Sequence, residues 1–506
     1  MAAEKCEVVP AAGSASSVLQ TSFPGWQWKS TGGIKLLGAP LGDAEYCASV
    51  LTERAAKAQE LVDAIGKYGH TQGALLQLRH CASWGKLVYA ARTVPPALHG
   101  VAFAQYGSAL RKGLEQLVGD VLPDRCWELA QLCIGRGGLG IRDPGRHAPA
   151  AYLASLAQTR SLCGVIDRCF DAQDTAGGSL KEVTSAAFRA GVLDAAAWDS
   201  GTELIASQKE LSGLLDAAAC ERLLATERHD AAFVAHVALC QIPGAGVWLT
   251  ANPVEDGREI EASLFQVALK RRLRVPVFAA DGFCPCCGQL SDKWGDHTLV
   301  CACAGDRTIR HNAVRDVVFE EAVGGGLRPE REKAGLLPER PVTDGFRADA
   351  KTSTGGRRPA DIWLPRGTTG GKEALDFAVT SAMRGDLFRH AAEDPGKVFE
   401  QYNRYKREYK NTAEICKEAG FCFMPMVIEA HGGGWSPTAR RVLAWLARQG
   451  AAANLEAPAA VSLRIAQRTS CILQRENARA ILRRTAAEAL APAQPSGWDT
   501  APFEWR

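Results

Sequence analysis

Four side chains suited to a soft metal stand close together in this chain, in the order Cys284-x2-Cys287-x9-His297-x3-Cys301. Zinc takes thiolate and imidazole ligands in a tetrahedron, and a Cys-x2-Cys turn followed by a His/Cys pair supplies all four. A segment of about twenty residues buries too little apolar surface to fold alone, so the metal would supply its folding energy. Four protein ligands leave no position open for water, so the expected site is structural. Cys286 and Cys303 lie close enough to substitute for a member of the set. Nine residues after Cys301 comes Arg310-His311-Asn312, whose cation and imidazole suit a nucleic-acid backbone.

A second constellation lies downstream. Asp361 sits in Pro359-Ala360-Asp361-Ile362-Trp363-Leu364 and Asp376 in Leu375-Asp376-Phe377-Ala378-Val379. Their separation fits two adjacent hairpin strands that each place one carboxylate at the same end. Paired carboxylates on adjacent strands are what hold Mg²⁺ for phosphodiester hydrolysis. Helical phase adds a third acid: Glu321 shares a face with Val314, Val317 and Val318, and a carboxylate on an apolar stripe needs a partner or a metal. The same test selects a lysine. Lys406 follows Phe399 and Tyr402 on one stripe, so its ammonium is expected within about 4–7 Å of both aspartates, lowering their pKa values. Lys372 is the other candidate. Around Lys406, the basic residues Arg404, Arg407 and Lys410 alternate with Tyr402, Tyr405 and Tyr409, a mixture that binds nucleic acid.

These side chains need elements to carry them. Gly33 to Gly42 reads as a short strand closed by turn residues, and helical spacing runs over Ala44–Tyr68 and Gly73–Ala91. Gly135–Ile141 is a glycine-rich turn, and 180–240 is Ala/Leu-rich helix. After Arg310 the expected order is helix, strand, strand, strand, helix, strand. The helix Asn312–Ala322 ends in glycines, Leu327–Leu336 is a possible first strand, and Ala360–Leu364 and Ala374–Thr380 are the next two. A helix over Val398–Ala419 precedes an apolar strand, Phe421–Glu429. Residues 460–490 read as a basic amphipathic helix.

With 506 residues there is room for two to four domains. A net charge of +3 excludes no partner, since a basic groove can be offset elsewhere. The 17 cysteines are odd in number and scattered, no apolar leader opens the chain, and no run is long enough to span a membrane. A nuclear or cytoplasmic protein that is not secreted is expected.

The order CCHC knuckle, Arg310-His311-Asn312, Pro-Ala-Asp361, Asp376 and Tyr/Lys helix resembles the C-terminal part of R2-like non-LTR retrotransposon proteins. The resemblance implies a restriction-like endonuclease of the PD-(D/E)XK fold that nicks target DNA for target-primed reverse transcription. Asp361 and Asp376 match the acids that bind magnesium, and Lys406 matches the family habit of supplying the lysine from the helix. Two departures stand out: Ala360 splits the Pro-Asp pair, and position 378 is Ala rather than Lys. Upstream, Gly33–Gly42, Leu75–Pro96 and Gly137–Gly140 resemble the exit from the reverse-transcriptase palm, the thumb helices and the connection after the thumb. No aromatic-x-Asp-Asp motif occurs and no two aspartates are adjacent, so reverse transcription by this chain is expected to be absent. The implied architecture is multidomain, with a mostly helical N-terminal half: 1–30 disordered, 31–160 thumb-like, 161–280 helical linker. A zinc knuckle over 281–304, an α/β endonuclease over 305–450, and a basic helix with a loose tail over 451–506 follow. It reads as an element protein truncated before the thumb, with target DNA and the element's template RNA as partners. The alternative is a catalytically decayed remnant that binds nucleic acid without cutting it.

Overall fold

The structure, a computed structural model, describes residues 7–8, 20–28, 32–166, 168, 184–185, 187, 207–338, 359–384 and 387–485. The expectations for residues 1–6, 9–19 and 29–31, for most of 167–206 and for 486–506 lie outside the described residues. The chain is mostly helical with a small mixed sheet, and it divides into two units. The first holds Met1–Tyr68, Ala74–Leu117 and Gly140–Arg222; the second holds Gly69–Gly73, Val118–Leu139 and Leu223–Arg506. The expected linker 161–280 is therefore split, and its later part belongs to the unit that carries the knuckle and the acids. No helix among the described residues is long and apolar enough to cross a membrane.

In the first unit, Gly33–Gly42 is a hairpin rather than one strand. Gly33–Leu36 pairs with Ala39–Gly42 in antiparallel register. Leu37 and Gly38 both have positive φ, which a two-residue turn matching strand twist requires. Asp43 then caps the helix Ala44–Gly66 through the Tyr46 N–H. The single helix expected over Gly73–Ala91 is instead interrupted, because Ser83 leaves helical geometry at ψ −135°.

The second unit is built on a four-stranded sheet. We label its elements α1 (Ala231–Cys240), α2 (Ala262–Arg272), α3 (Asp306–Gly324), β1 (Glu330–Arg331), β2 (Ile362–Leu364), β3 (Glu373–Thr380), α4 (Gly396–Glu408), α5 (Thr412–Glu418), β4 (Cys422–Glu429), α6 (Pro437–Asn454) and α7 (Pro458–Leu482). The strand order is β4-β3-β2-β1, with β4 parallel to β3 and the other pairs antiparallel. Pro425 sits in β4 because that strand is an edge, where a missing N–H costs no ladder bond.

Helices cover both faces, which is why β3 and β4 are almost wholly buried. On one face Leu375 and Phe377 of β3 pack with Val314 and Val318 of α3, Leu446 of α6 and Ile465 of α7. On the other, Ala378 packs with Phe399 of α4 and Leu239 of α1, and Ala374 packs with Cys416 of α5. Alternation along β3 puts Asp376 on this second face, between Ala374 and Ala378.

Three expected elements differ. The first strand shrinks from Leu327–Leu336 to two residues, since Glu332 turns out of it at φ 48°. The helix Val398–Ala419 breaks into α4 and α5 at Asn411, which adopts φ 55°. The helix read over 460–490 forms but stops earlier. It spans Pro458–Leu482 and is largely buried, packing on α3, α2 and α6.

Candidate active site and metal centre

Asp361 ends the approach to β2, and its N–H donates to Leu375 O at 2.9 Å. The β2–β3 register pairs Ile362 with Leu375, so Asp361 enters the sheet beside Leu375, one residue from Asp376. Both carboxylates line one cleft, and Lys406 of α4 lines it too. From α4, Lys406 Nζ lies 2.7 Å from Asp376 Oδ2. The helix reaches this far because Val398 and Phe399, both about two turns earlier, are anchored in the core. Ala378 faces the same way two residues beyond Asp376, and the cation comes from the helix instead of the strand.

His311 enters from the first turns of α3. Its Nε2 lies 3.1 Å from Asp361 Oδ2 and 3.2 Å from Phe377 O. The Phe377 N–H also donates to Asp361 Oδ2 at 2.6 Å, fixing that carboxylate between an imidazole and a backbone amide. These groups, with Asn312, Arg307, Glu332 and Tyr402, line a cleft of about 560 Å³.

The electrostatics correct one expectation. Burial pushes Asp376 up to about 6, against the lowering by Lys406 and with a further rise from Asp361. Desolvation therefore outweighs the lysine. Burial lowers the Lys406 ammonium, but Asp376 beside it more than compensates, and its pKa is raised. His311 is likewise raised: its contact with Asp361 outweighs burial.

Other selected residues lie elsewhere. Glu321 does not join the cleft. It is ten residues along α3 from His311, about 15 Å of helix. Its carboxylate takes Arg468 at 2.7 Å and Arg464 at 3.4 Å, both from α7. The buried phase was right, but the compensating charge is arginine rather than metal. Arg310 reaches the cleft wall but is only 2% exposed, with its guanidinium donating to Asn477 Oδ1 and Leu299 O. That buried cation joins α3 to α7 and the knuckle, and is spent before it can grip a phosphate. Arg404 and Arg407 are exposed on α4, and the Lys410 side chain lies outside the described residues. Lys372 lines a different hollow, with Arg407 and Lys417.

Sequence reasoning missed Glu332. Its N–H donates to Asp361 O at 3.1 Å and its carboxylate takes Arg315 at 2.7 Å. It lies in a charged run without periodicity, so nothing in the pattern marks it.

The knuckle forms as a hairpin, Gly282–Phe283 with Leu290–Ser291, followed by the short helix Asp296–Val300. Cys284, Cys287, His297 and Cys301 bring their ligand atoms within 4.8 Å of one another. Cys284 Sγ and Cys301 Sγ are 4.0 Å apart, near the roughly 3.8 Å edge that Zn–S bonds of about 2.3 Å give a tetrahedron. Three thiols and an imidazole at this spacing fit a metal ion such as zinc; Cys286 and Cys303 fall outside the set. Burial raises the Cys284 thiol, but the N–H groups of Cys286 and Cys287 and the Arg484 guanidinium outweigh it and draw it down to about 6. A thiolate, the form a metal binds, is thus favoured before any ion arrives. Asp292 accepts from the N–H of Trp294, Asp296 and His297, holding the ligand helix in place.

A second cluster, His236 and Cys240 of α1 with His431 after β4, is fully buried. Its protons argue against a metal. Arg271 can only donate, and it lies 2.6 Å from His431 Nδ1. Neutral His431 must then carry its proton on Nε2 and donate it to His236 Nδ1, with which it is in contact. His236 in turn donates from Nε2 to Arg272 O at 3.0 Å. Burial and the neighbouring arginines hold both rings well below their ordinary pKa. No imidazole lone pair is left for a cation, so this is a structural relay.

No protein-family model matches the chain, and no curated protein matches it either.

Proposed function

We propose that this chain is a magnesium-dependent DNA endonuclease module of a retrotransposon-derived protein, with a structural zinc knuckle and no polymerase site. One observation carries the reading: two carboxylates from adjacent strand segments line one cleft, with a lysine 2.7 Å from one of them. The order of elements around them, α3-β1-β2-β3-α4-β4, agrees with a PD-(D/E)XK core. Asp361 and Asp376 would hold Mg²⁺, which when bound neutralises phosphate charge and makes water a stronger nucleophile. His311 and the Phe377 N–H orient Asp361 by one oxygen. Lys406 orients Asp376 and sets a fixed positive charge where the scissile phosphate gains negative charge. The partial burial of Asp376 makes these charges act more strongly than they would at a fully exposed surface.

The biological setting would be nicking of target DNA for target-primed reverse transcription, in the nucleus, with the element's RNA as template. Ala378 and Ala360 favour the second reading, a decayed binding remnant. Plasmid nicking in Mg²⁺ separates the two: activity supports the nuclease, and salt-dependent binding with no cleavage supports the remnant.

A further inference from the structure

Tyr402, Tyr405 and Tyr409 follow one another along a single face of α4 and its end. Ring centroids are 5.9 Å apart for the first pair and 5.6 Å for the second. Tyr402 lines the acid cleft, and the row leads outward from it: Tyr405 is 55% exposed and Tyr409 45%. The same helix buries Val398 and Phe399, so its aromatic residues are divided between core and water. Exposed Arg404 and Arg407 alternate with the exposed rings. The row spans about 10 Å, which is room for two to three bases.

We propose that this row is a stacking platform for unpaired bases of single-stranded DNA leading into the cleft. Double-stranded DNA hides its base faces in the stack and offers only edges and phosphates. A single strand offers π-faces to rings and phosphates to the flanking arginines, the combination α4 presents. The platform would be indifferent to base sequence. It selects DNA that is already unpaired beside the cleavage point, such as a frayed or branched junction, over intact duplex. The inference rests on the endonuclease reading for where the strand goes, but not for whether it binds.

The test is fluorescence anisotropy with labelled oligodeoxythymidine and a labelled duplex, with Mg²⁺ omitted so that no cleavage occurs and with no chelator added, so that the Cys3His site keeps its metal. Tyr405→Ala and Tyr409→Ala should each weaken single-strand binding about tenfold and move duplex binding less than about twofold. Phe at either position should keep wild-type affinity, and the salt slope should not change. Single-strand affinity within about twofold of wild type in the double alanine variant would overturn the proposal. So would equal losses on both substrates, or RNA of matching sequence binding about tenfold tighter than DNA. Failure of the wild type to nick, with tyrosine-dependent binding intact, would sink the nuclease and leave the platform standing.

Discussion

The contact of Lys406 with Asp376, at 2.7 Å, is where one side chain does most to define the cleft. Lys406→Met removes the charge while keeping the stem that packs along α4. It should lower nicking by about 10²–10³-fold with DNA affinity reduced far less, as for removal of one preorganised transition-state donor. Single-turnover kinetics separate the two; equal losses in both would assign Lys406 to binding alone. Helical phase made this lysine legible, because a cation in step with Phe399 must face inward. His311 was legible as a basic residue but not as the partner of Asp361, since that contact depends on how α3 docks against β3. Glu321 was misplaced for a related reason. Periodicity reports that a carboxylate is buried, never what neutralises it.

The α3–α7 pair is held by more than its apolar seam. Glu321 and Arg468, 6% and 16% exposed at their side chains, meet at 2.7 Å across it. Glu321→Ala should destabilise the protein by roughly 2 kcal/mol, because it takes the more buried of two carboxylate partners from Arg464 and Arg468, which keep Glu456 and Glu320. Urea denaturation reads this directly, and a change under about 1 kcal/mol would refute the pairing's importance. At the end of β4, Glu429 is fully buried and accepts from Gly432 N at 2.6 Å. Burial pushes it up to about 7, so the folded state holds its proton more tightly than the unfolded chain. Its contribution is thus fully present below the ordinary carboxyl range and is lost as pH rises through 7, a loss on the order of 3 kcal/mol. Glu429→Gln should flatten that part of the stability profile between about pH 4.5 and 7, the window the shift defines; an unchanged profile would show that Glu429 stays ionised. At this scale the sequence was informative where patterns are long. The buried strands β3 and β4 appear as apolar runs, but the break at Asn411 and the two-residue β1 do not. A left-handed residue and a short edge are imposed by packing rather than by propensity.

Over the second unit as a whole, the Cys3His cluster and the acid cleft are joined through α3, which begins five residues after Cys301 and carries His311. Chelation of the metal should loosen residues 281–304 and raise their hydrogen exchange while the β3–β4 core stays protected. Cys287→Ser should lower bound zinc; full zinc content in that variant would show that the ligand set is different. Net charge said nothing about any of this, because Arg468 of α7 and Arg484 just beyond it are spent on the buried acids Glu321 and Asp306. Plasmid nicking in Mg²⁺ by the wild type, Asp361→Asn and Asp376→Asn tests the acid pair of the cleft most directly. Nicking by the wild type that falls at least about 10³-fold in each variant, with DNA binding retained, is the predicted result. Undiminished nicking in both variants would contradict it.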